Sequence, residues 1–324
     1  MTKAIRFHQT GGPEVLVWED VEVPDPGPGQ CQIKHTAIGL NYLDTYHRTG
    51  LYPLPLPSGV GSEGAGVITK VGKGVKDLKV GDRVAYCGGP PGSYAEMRVV
   101  PAIRLVKIPA GISDQTAAAM MLKGMTVQYL IRRCYKVQKG DVVLFHAAAG
   151  GVGLIACQWL KALGAKTIGT VSTDEKAALA KKHGCTWPVV YTRDDFLAEV
   201  KKRTKDAGVP VVYDGVGKDT FAKGLDCLRP RGLMVSFGNA SGPVDPVPLG
   251  VLTAKGSLYV TRPTLATYTA TREEVLATAK DLFSVVKSGK VKIRVDQTYA
   301  LKDAVRAHVD LHARKTTGST VLIP

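Results

Sequence analysis

The sequence predicts an α/β protein in two parts: a barrel-like β domain made from both ends of the chain, and a doubly wound parallel sheet between them. Short strands punctuated by Gly and Pro fill the chain up to about residue 124, and strand and helix patterns then alternate as far as Gly238. The tail after Arg262 is too short for a domain of its own, so it is expected to pack back on the first part. The expected division is residues 1–124 with 263–324 for the β domain and residues 125–262 for the nucleotide-type sheet. With 324 residues and 44% hydrophobic side chains, the chain can fill two cores.

In the first part the runs KAIRFH, LVWEDVEVP, QCQIKHTAIGL, GAGVITKVG, DRVAYC and YAEMRVVP are regularly spaced short strands. No long helical period interrupts them until Ser113, an N-cap for DQTAAAMML. After KGMTVQYLIRRCYKV the order becomes DVVLFHA, GGVGLIACQWLKALG, KTIGTV, DEKAALAKKHG, PVVY, RDDFLAEVKKRT, VPVVYD, KDTFAKGLDCL and RGLMVSFG. The strands among these are continuous apolar runs, as a sheet covered on both faces requires. Beyond Arg262 come the helix TREEVLATAKDLFSVVKSG, the run VKIRVDQTYA, the helix LKDAVRAHVDLHA and a last strand, STVLIP.

The six cysteines (Cys31, Cys87, Cys134, Cys157, Cys185, Cys227) show no C-x-x-C spacing and read as reduced thiols of a cytoplasmic protein. The N-terminus MTKAIRFHQTGG lacks the apolar core of a secretory signal, and no window of about 18 apolar residues could span a membrane. A net charge of +15, from 43 Lys and Arg against 28 Asp and Glu, suits polyanionic partners, which include phosphorylated cofactors as well as RNA. The densest basic run, KKRTK at 201–205, has no interleaved aromatic residue and reads as a solvated helix face.

The junction VVLFHAAAGGVGLIACQWLKALGA nearly matches G-x-G-x-x-G, with Ala148, Gly150 and Gly153 at the three places. A helix N-terminus offers free N–H groups and a partial positive charge to a pyrophosphate. Gly150 and Gly151 let the backbone come close, Gly153 lets helix and strand pack, and Ala148 is tolerable if no positive φ is needed there. The strand before and the helix after make this a dinucleotide site. At the end of the second strand an NAD site would place an acid for the ribose 2′-hydroxyl, but this chain has Ser172 and Thr173, with Lys176 one turn on. Hydroxyls and an ammonium suit a 2′-phosphate, which a carboxylate would repel, so the expected cofactor is NADPH. Asp174 and Glu175 open the next helix and complement its dipole from the solvent side. No Ser-His-Asp order, G-x-S-x-G elbow or H-E-x-x-H helix appears, which argues against hydrolase chemistry, and His146 reads as structural.

Eight segments carry a family resemblance along the whole chain: GGPEVL at 11, AIGLNYLDTYHRTGLYP at 37, PSGVGSEGAGVITKVG at 57, GDRVAY at 81, HAAAGGVGLIACQWLKALGA at 146, GLMVSFGNASG at 232, GSLYVTRP at 256 and LKDAVRAH at 301. They resemble the quinone oxidoreductase (zeta-crystallin-like) branch of the medium-chain dehydrogenase/reductases. The resemblance implies a GroES-like β-barrel catalytic domain plus a Rossmann NADPH-binding domain. It also implies hydride transfer from NADPH to a quinone in the cleft between them, and a homodimer in which the GSLYV strand extends a sheet across subunits.

Zinc alcohol dehydrogenases of this superfamily carry Cys, His and Cys where this chain has Asn41, Ser62 and Lys123, and the four-cysteine lobe is missing. No metal is therefore expected. The neighbouring Glu63 reads either as a carboxylate near the site or as a buried structural acid bonded to backbone or a basic side chain. The resemblance further implies that NYLDTYHRTGLY walls the acceptor site, with Asn41, Asp44, Tyr46, Tyr52 and, from VTRP, Arg262 as catalytic candidates. Asn41 would donate an amide hydrogen bond, a tyrosine would offer hydroxyl and ring face to a planar quinone, and Arg262 would stabilise charge on the reduced ring. The implied cofactor groove takes in Tyr129, Gly151, Val152, Ser172, Lys176 and Tyr191, then Val216, Phe237, Gly238 and Asn239. Val216 stands where close relatives often have a hydroxyl residue.

Reduction of activated alkenes such as 2-alkenals and enones needs the same hydride geometry and is the nearest alternative. An RNA-binding or crystallin-type structural protein that only binds NADPH is the alternative from a different class, motivated by the charge. It would show steep salt-dependent RNA affinity and no turnover.

Overall fold

The computed structural model describes residues 1–324, which divide into two compact units: residues 1–125, 269–287 and 293–324, and residues 126–268 with 288–292. The return to the first unit comes at Thr269 rather than at residue 263. Residues 288–292 also side with the second unit, where Gln158 donates to Lys292 O at 3.1 Å and accepts from Lys292 N at 2.9 Å.

The first unit opens with β1 (Thr2–Phe7) and β2 (Val17–Val21), an antiparallel pair, followed by the long strand β3 (Gln30–Leu40) and the short helix α1 (Tyr42–Thr49). After β4 (Ser58–Gly59) come β5 (Glu63–Val71), β6 (Arg83–Cys87), β7 (Met97–Pro101) and β8 (Val106–Lys107). β1 is central in a three-stranded sheet with β2 and β4. β3 pairs antiparallel with β5 along most of its length and with β7 over Gln30–Lys34. Ile33, Ile68, Val84, Tyr86 and Leu105 make one buried cluster, and Ile5, Phe7, Ile38, Val60 and Tyr94 belong to a second. Helix α2 (Asp114–Tyr129) starts as expected, with Ser113 Oγ accepting from Thr116 N at 3.1 Å. It runs well past DQTAAAMML because Met125, Val127 and Tyr129 are also buried, and it passes into a π-helical turn at Leu130–Cys134.

The second unit alternates strictly: β9 (Val142–Phe145), α3 (Gly151–Ala162), β10 (Lys166–Val171), α4 (Asp174–Lys182), β11 (Trp187–Val190), α5 (Phe196–Thr204), β12 (Val209–Asp214), α6 (Phe221–Asp226) and β13 (Leu228–Ser236). Then come α7 (Gly250–Ala254), β14 (Tyr259–Thr261) and α8 (Leu265–Tyr268). The six strands are parallel in the order β11-β10-β9-β12-β13-β14, the Rossmann arrangement. Strand order reverses between β9 and β12, and the crevice at the carboxyl ends of those strands is where such sheets bind ligands. Lys201, Lys202 and Arg203 of the basic run are exposed on α5.

The chain returns to the first unit through α9 (Arg272–Lys287), β15 (Val295–Ala300), α10 (Ala304–His312) and β16 (Ser319–Ile323). β16 lies between β15 and β3, parallel to the former and antiparallel to the latter. No helix is long and apolar enough to cross a membrane.

Candidate nucleotide and acceptor sites

The glycine turn follows β9 directly. Ala147, not Ala148, takes the positive φ, at 56°, while Ala148 is fully buried and its N–H bonds Thr170 O on β10 at 3.0 Å. His146 is structural as expected: it is buried, with Nδ1 2.9 Å from Thr170 Oγ1. Gly150 is the N-cap of α3 and supplies no side-chain bond, so the first N–H groups of the helix have no side-chain cap. A Cβ on Gly153 would collide with Ala147 O and stand 2.7 Å from Ala148 Cα. This close approach of helix to turn explains why only glycine fits there, and it leaves the helix end open to an anion.

At the end of β10, Ser172 O accepts from Thr192 Oγ1 at 3.1 Å, and Tyr191 N bonds Val171 O at 3.0 Å. Tyr191 is 45% exposed, which excludes the core role open to a strand-end tyrosine. Thr173 is the N-cap of α4, its Oγ1 accepting from Lys176 N at 3.3 Å. A hydroxyl spent on the helix is a poorer phosphate ligand than the one on Ser172. Asp174 is matched by Arg193, whose Nη1 and Nη2 stand 3.2 and 3.3 Å from its oxygens. Arg193 thus offsets the negative charge of Asp174 near the expected 2′-phosphate position, a pairing between the start of α4 and the loop after β11 that sequence reading missed.

Val216 commits both backbone groups internally: N–H to Asp214 Oδ1 at 2.8 Å, and C=O to Ser241 N and Oγ at 2.8 and 3.0 Å. A Cβ on Gly238 would run into Gly215 O and lie 2.9 Å from Gly215 Cα. Arg262 Nη1 donates to Ser236 O, Ser236 Oγ and Gly238 O at 3.0, 3.2 and 3.0 Å. With the Asn239 amide turned to suit its neighbours, its oxygen accepts from Arg262 Nη2 at 3.1 Å and its nitrogen donates to Gly238 O at 2.9 Å. In this unit Arg262 braces the Phe237–Asn239 loop, a role the sequence did not suggest. Tyr129, buried, stacks on Tyr268 with centroids 4.7 Å apart and planes 10° apart.

In the first unit, Asn41 caps α1. Asp44 Oδ2 accepts from Asn41 N at 2.9 Å, half of a capping box that the N-x-x-D spacing could have signalled. Asp44 Oδ2 also accepts from Tyr94 OH at 3.0 Å. Complete burial lifts the Asp44 carboxyl to about 7, against the lowering effect of the bonds from Asn41 and Tyr94 and of the Lys123 charge. Tyr94 OH in turn stands 3.2 Å from His308 Nε2, and Arg48 Nη1 donates to His308 Nδ1 at 3.2 Å. Nothing local in the sequence announces that network, because α1, Tyr94 and His308 lie far apart along the chain. Tyr46 and Tyr52 are half-buried and meet edge to face at 5.2 Å.

Glu63 is sealed from solvent. Its Oε2 accepts from Asn41 Nδ2 at 2.7 Å, its Oε1 from Leu122 N at 2.7 Å, and Lys123 Nζ stands 3.3 Å from Oε2. This is the structural acid of the two readings. It also draws the Asn41 amide inward, so that group is held by Glu63 rather than presented to a ligand. The three positions considered for zinc do not fit it: an ammonium has no lone pair, and Asn41 already serves Glu63. No group of three or more His, Cys, Asp or Glu side chains stands where it could hold a metal ion.

Residues 27–110 match the alcohol dehydrogenase GroES-like domain and residues 151–281 the zinc-binding dehydrogenase family. Over 325 residues, covering both chains fully, the protein is 54% identical to a quinone oxidoreductase of Pseudomonas aeruginosa. It is 48% identical to a 2-haloacrylate reductase of a Burkholderia species, covering 100% of this chain and 99% of that one. The crystal structure of Escherichia coli quinone oxidoreductase complexed with NADPH superimposes with a TM-score of 0.98 at 52% identity, over 99% of this chain and 100% of the other. The first unit holds the GroES-like part and the second the Rossmann part, and the chain belongs to the quinone oxidoreductase family of the medium-chain dehydrogenase/reductases.

Proposed function

We propose that this chain is an NADPH-dependent quinone oxidoreductase that passes a hydride to a quinone without zinc. The observation that carries the reading is the end of β10, where Ser172 and Lys176 stand in place of a carboxylate, in a chain 52% identical to an enzyme crystallised with NADPH. NADPH, when bound, supplies the hydride. The bare α3 N-terminus at Gly150, Gly151 and Val152 would take the pyrophosphate, with Gly153 and Gly238 keeping the backbone close. Ser172 and Lys176 would hold the 2′-phosphate beside the exposed Tyr191, while Arg262 fixes the Phe237–Asn239 loop. On the acceptor side, Tyr46 and Tyr52 offer hydroxyls and ring faces to a planar quinone, and Asn41 and Asp44 set the start of the helix that carries Tyr46.

The test is the rate of NADPH and NADH oxidation with 1,4-benzoquinone. We expect NADPH to be strongly preferred, and Lys176→Ala to cut kcat/KM for NADPH by about 10-fold, with NADH little changed. Equal use of both cofactors, unaltered by the substitution, overturns the cofactor assignment.

The relationship to a 2-haloacrylate reductase favours a second reading, reduction of an activated alkene. A panel of benzoquinone, naphthoquinones, 2-alkenals and 2-chloroacrylate separates the two, and turnover of the alkenes alone would replace quinone as the substrate. We place the protein in the cytoplasm as a homodimer joined along β14, the edge strand of the second sheet, where Tyr259 is 63% and Val260 41% exposed. Its dispersed basic surface calls for no nucleic-acid partner.

A further inference from the structure

We infer that Lys123 is the catalytic residue that binds and protonates the acceptor oxygen. This rests on the reduction reading above, and the residue lies outside the set assigned to that site. The bonds around Glu63 are unequal. Its short bonds, both 2.7 Å, come from Asn41 Nδ2 and Leu122 N, whereas Lys123 Nζ stands off at 3.3 Å. The carboxylate is thus already bonded at both oxygens without the ammonium. Nor does stability account for the pair as a whole, because a buried ion pair is often replaced by apolar side chains at no loss.

The ammonium makes one further bond, to Leu40 O at 3.3 Å, so two of its three N–H groups are used and the third has no protein partner. The Lys123 side chain keeps 8% of its surface while that of Glu63 has none, so the lysine is the member of the pair that a ligand can reach. Leu40 ends β3, and Asn41 and α1 with Tyr46 follow at once. The charge therefore sits at the base of the segment proposed to receive the acceptor.

Hydride addition leaves the reduced quinone with a new electron pair as an oxyanion. An N–H bond of Lys123 breaks as an O–H bond forms, giving hydroquinone and a neutral amine that regains its proton from water. Glu63, fixed by Asn41 Nδ2 and Leu122 N, acts as a positioning residue for the lysine. An enolate oxygen from an activated alkene would meet the same group.

Lys123→Met alone strands the Glu63 charge, so the deciding variant is Glu63→Gln with Lys123→Met, its folding checked by melting temperature and NADPH affinity. The first readout is binding of 4-nitrophenolate, a stable phenolate that stands in for the oxyanion, measured with NADP⁺ present. The second is kcat with 1,4-benzoquinone. We expect phenolate affinity to fall at least about 10-fold and kcat about 100-fold, with KM for NADPH within about twofold. A folded double variant that keeps both phenolate affinity and kcat within about threefold of the parent overturns the inference and leaves Lys123 as the ion-pair partner of Glu63. If the parent oxidises NADPH with neither benzoquinone nor a 2-alkenal, the functional reading fails instead, and the phenolate arm still judges Lys123.

Discussion

A methyl group on Gly153 has nowhere to go. It would meet backbone atoms of Ala147 and Ala148, which cannot swing aside like the end of a flexible side chain. Gly153→Ala must therefore push α3 off the turn. We expect a loss of about 1–3 kcal/mol in stability and a drop of at least about 10-fold in NADPH affinity, read by thermal melting and fluorescence titration. The need for glycine there was legible from the motif, but the positive φ at Ala147 was not, since alanine carries no sign of a left-handed backbone. Asp44 shows a similar split. Its place beside the acceptor segment came from resemblance, whereas its pairing with Tyr94 depends on a tertiary fold that no local spacing encodes. Burial holds it at about 7 against an ordinary 3.8, so between those values the folded chain keeps a proton that the unfolded chain has released. That contribution favours folding at low pH and is lost as pH rises through about 7. Asp44→Asn lacks the titration, and its stability relative to the parent should improve by a few kcal/mol between pH 5 and pH 8 in denaturant unfolding.

At the scale of elements, the strands and helices of the second unit were readable because most of its strands are largely apolar runs set between helical patterns. α1 was missed: it has only eight residues, rich in Tyr, Thr and His, and is held by its cap rather than by helix propensity. The full length of α2 was missed for the opposite reason, since burial rather than composition carries it past Met121. β14 is the element on which the assembly proposal depends. It pairs with β13 on one side and is the last strand in the sheet. A charge on an open edge opposes strand addition, so Val260→Lys should shift the protein from dimer to monomer in sedimentation, with the melting temperature of the dilute protein little altered. A variant that stays dimeric would move the interface elsewhere.

Over the whole molecule, the excess of 43 basic over 28 acidic side chains acts as a diffuse field rather than as a groove. Such a field draws polyanions toward the surface and is screened by salt. We expect kcat/KM for NADPH to fall several-fold between about 20 and 300 mM NaCl while kcat holds steady, a dependence that stopped-flow binding would trace to the association rate. The division of the chain was legible in outline from the switch between strand-rich and alternating patterns. The side on which residues 263–268 and 288–292 fall was not, because it depends on contacts such as Gln158 with Lys292. β16, residues 319–323, lies inside the sheet between β15 and β3, so the strand that completes the sheet is made after all its other strands. The second unit has its whole sheet once Thr261 is out and can fold during synthesis, while in the first the end of β3 and the strand β15 lack their partner until translation has passed Ile323.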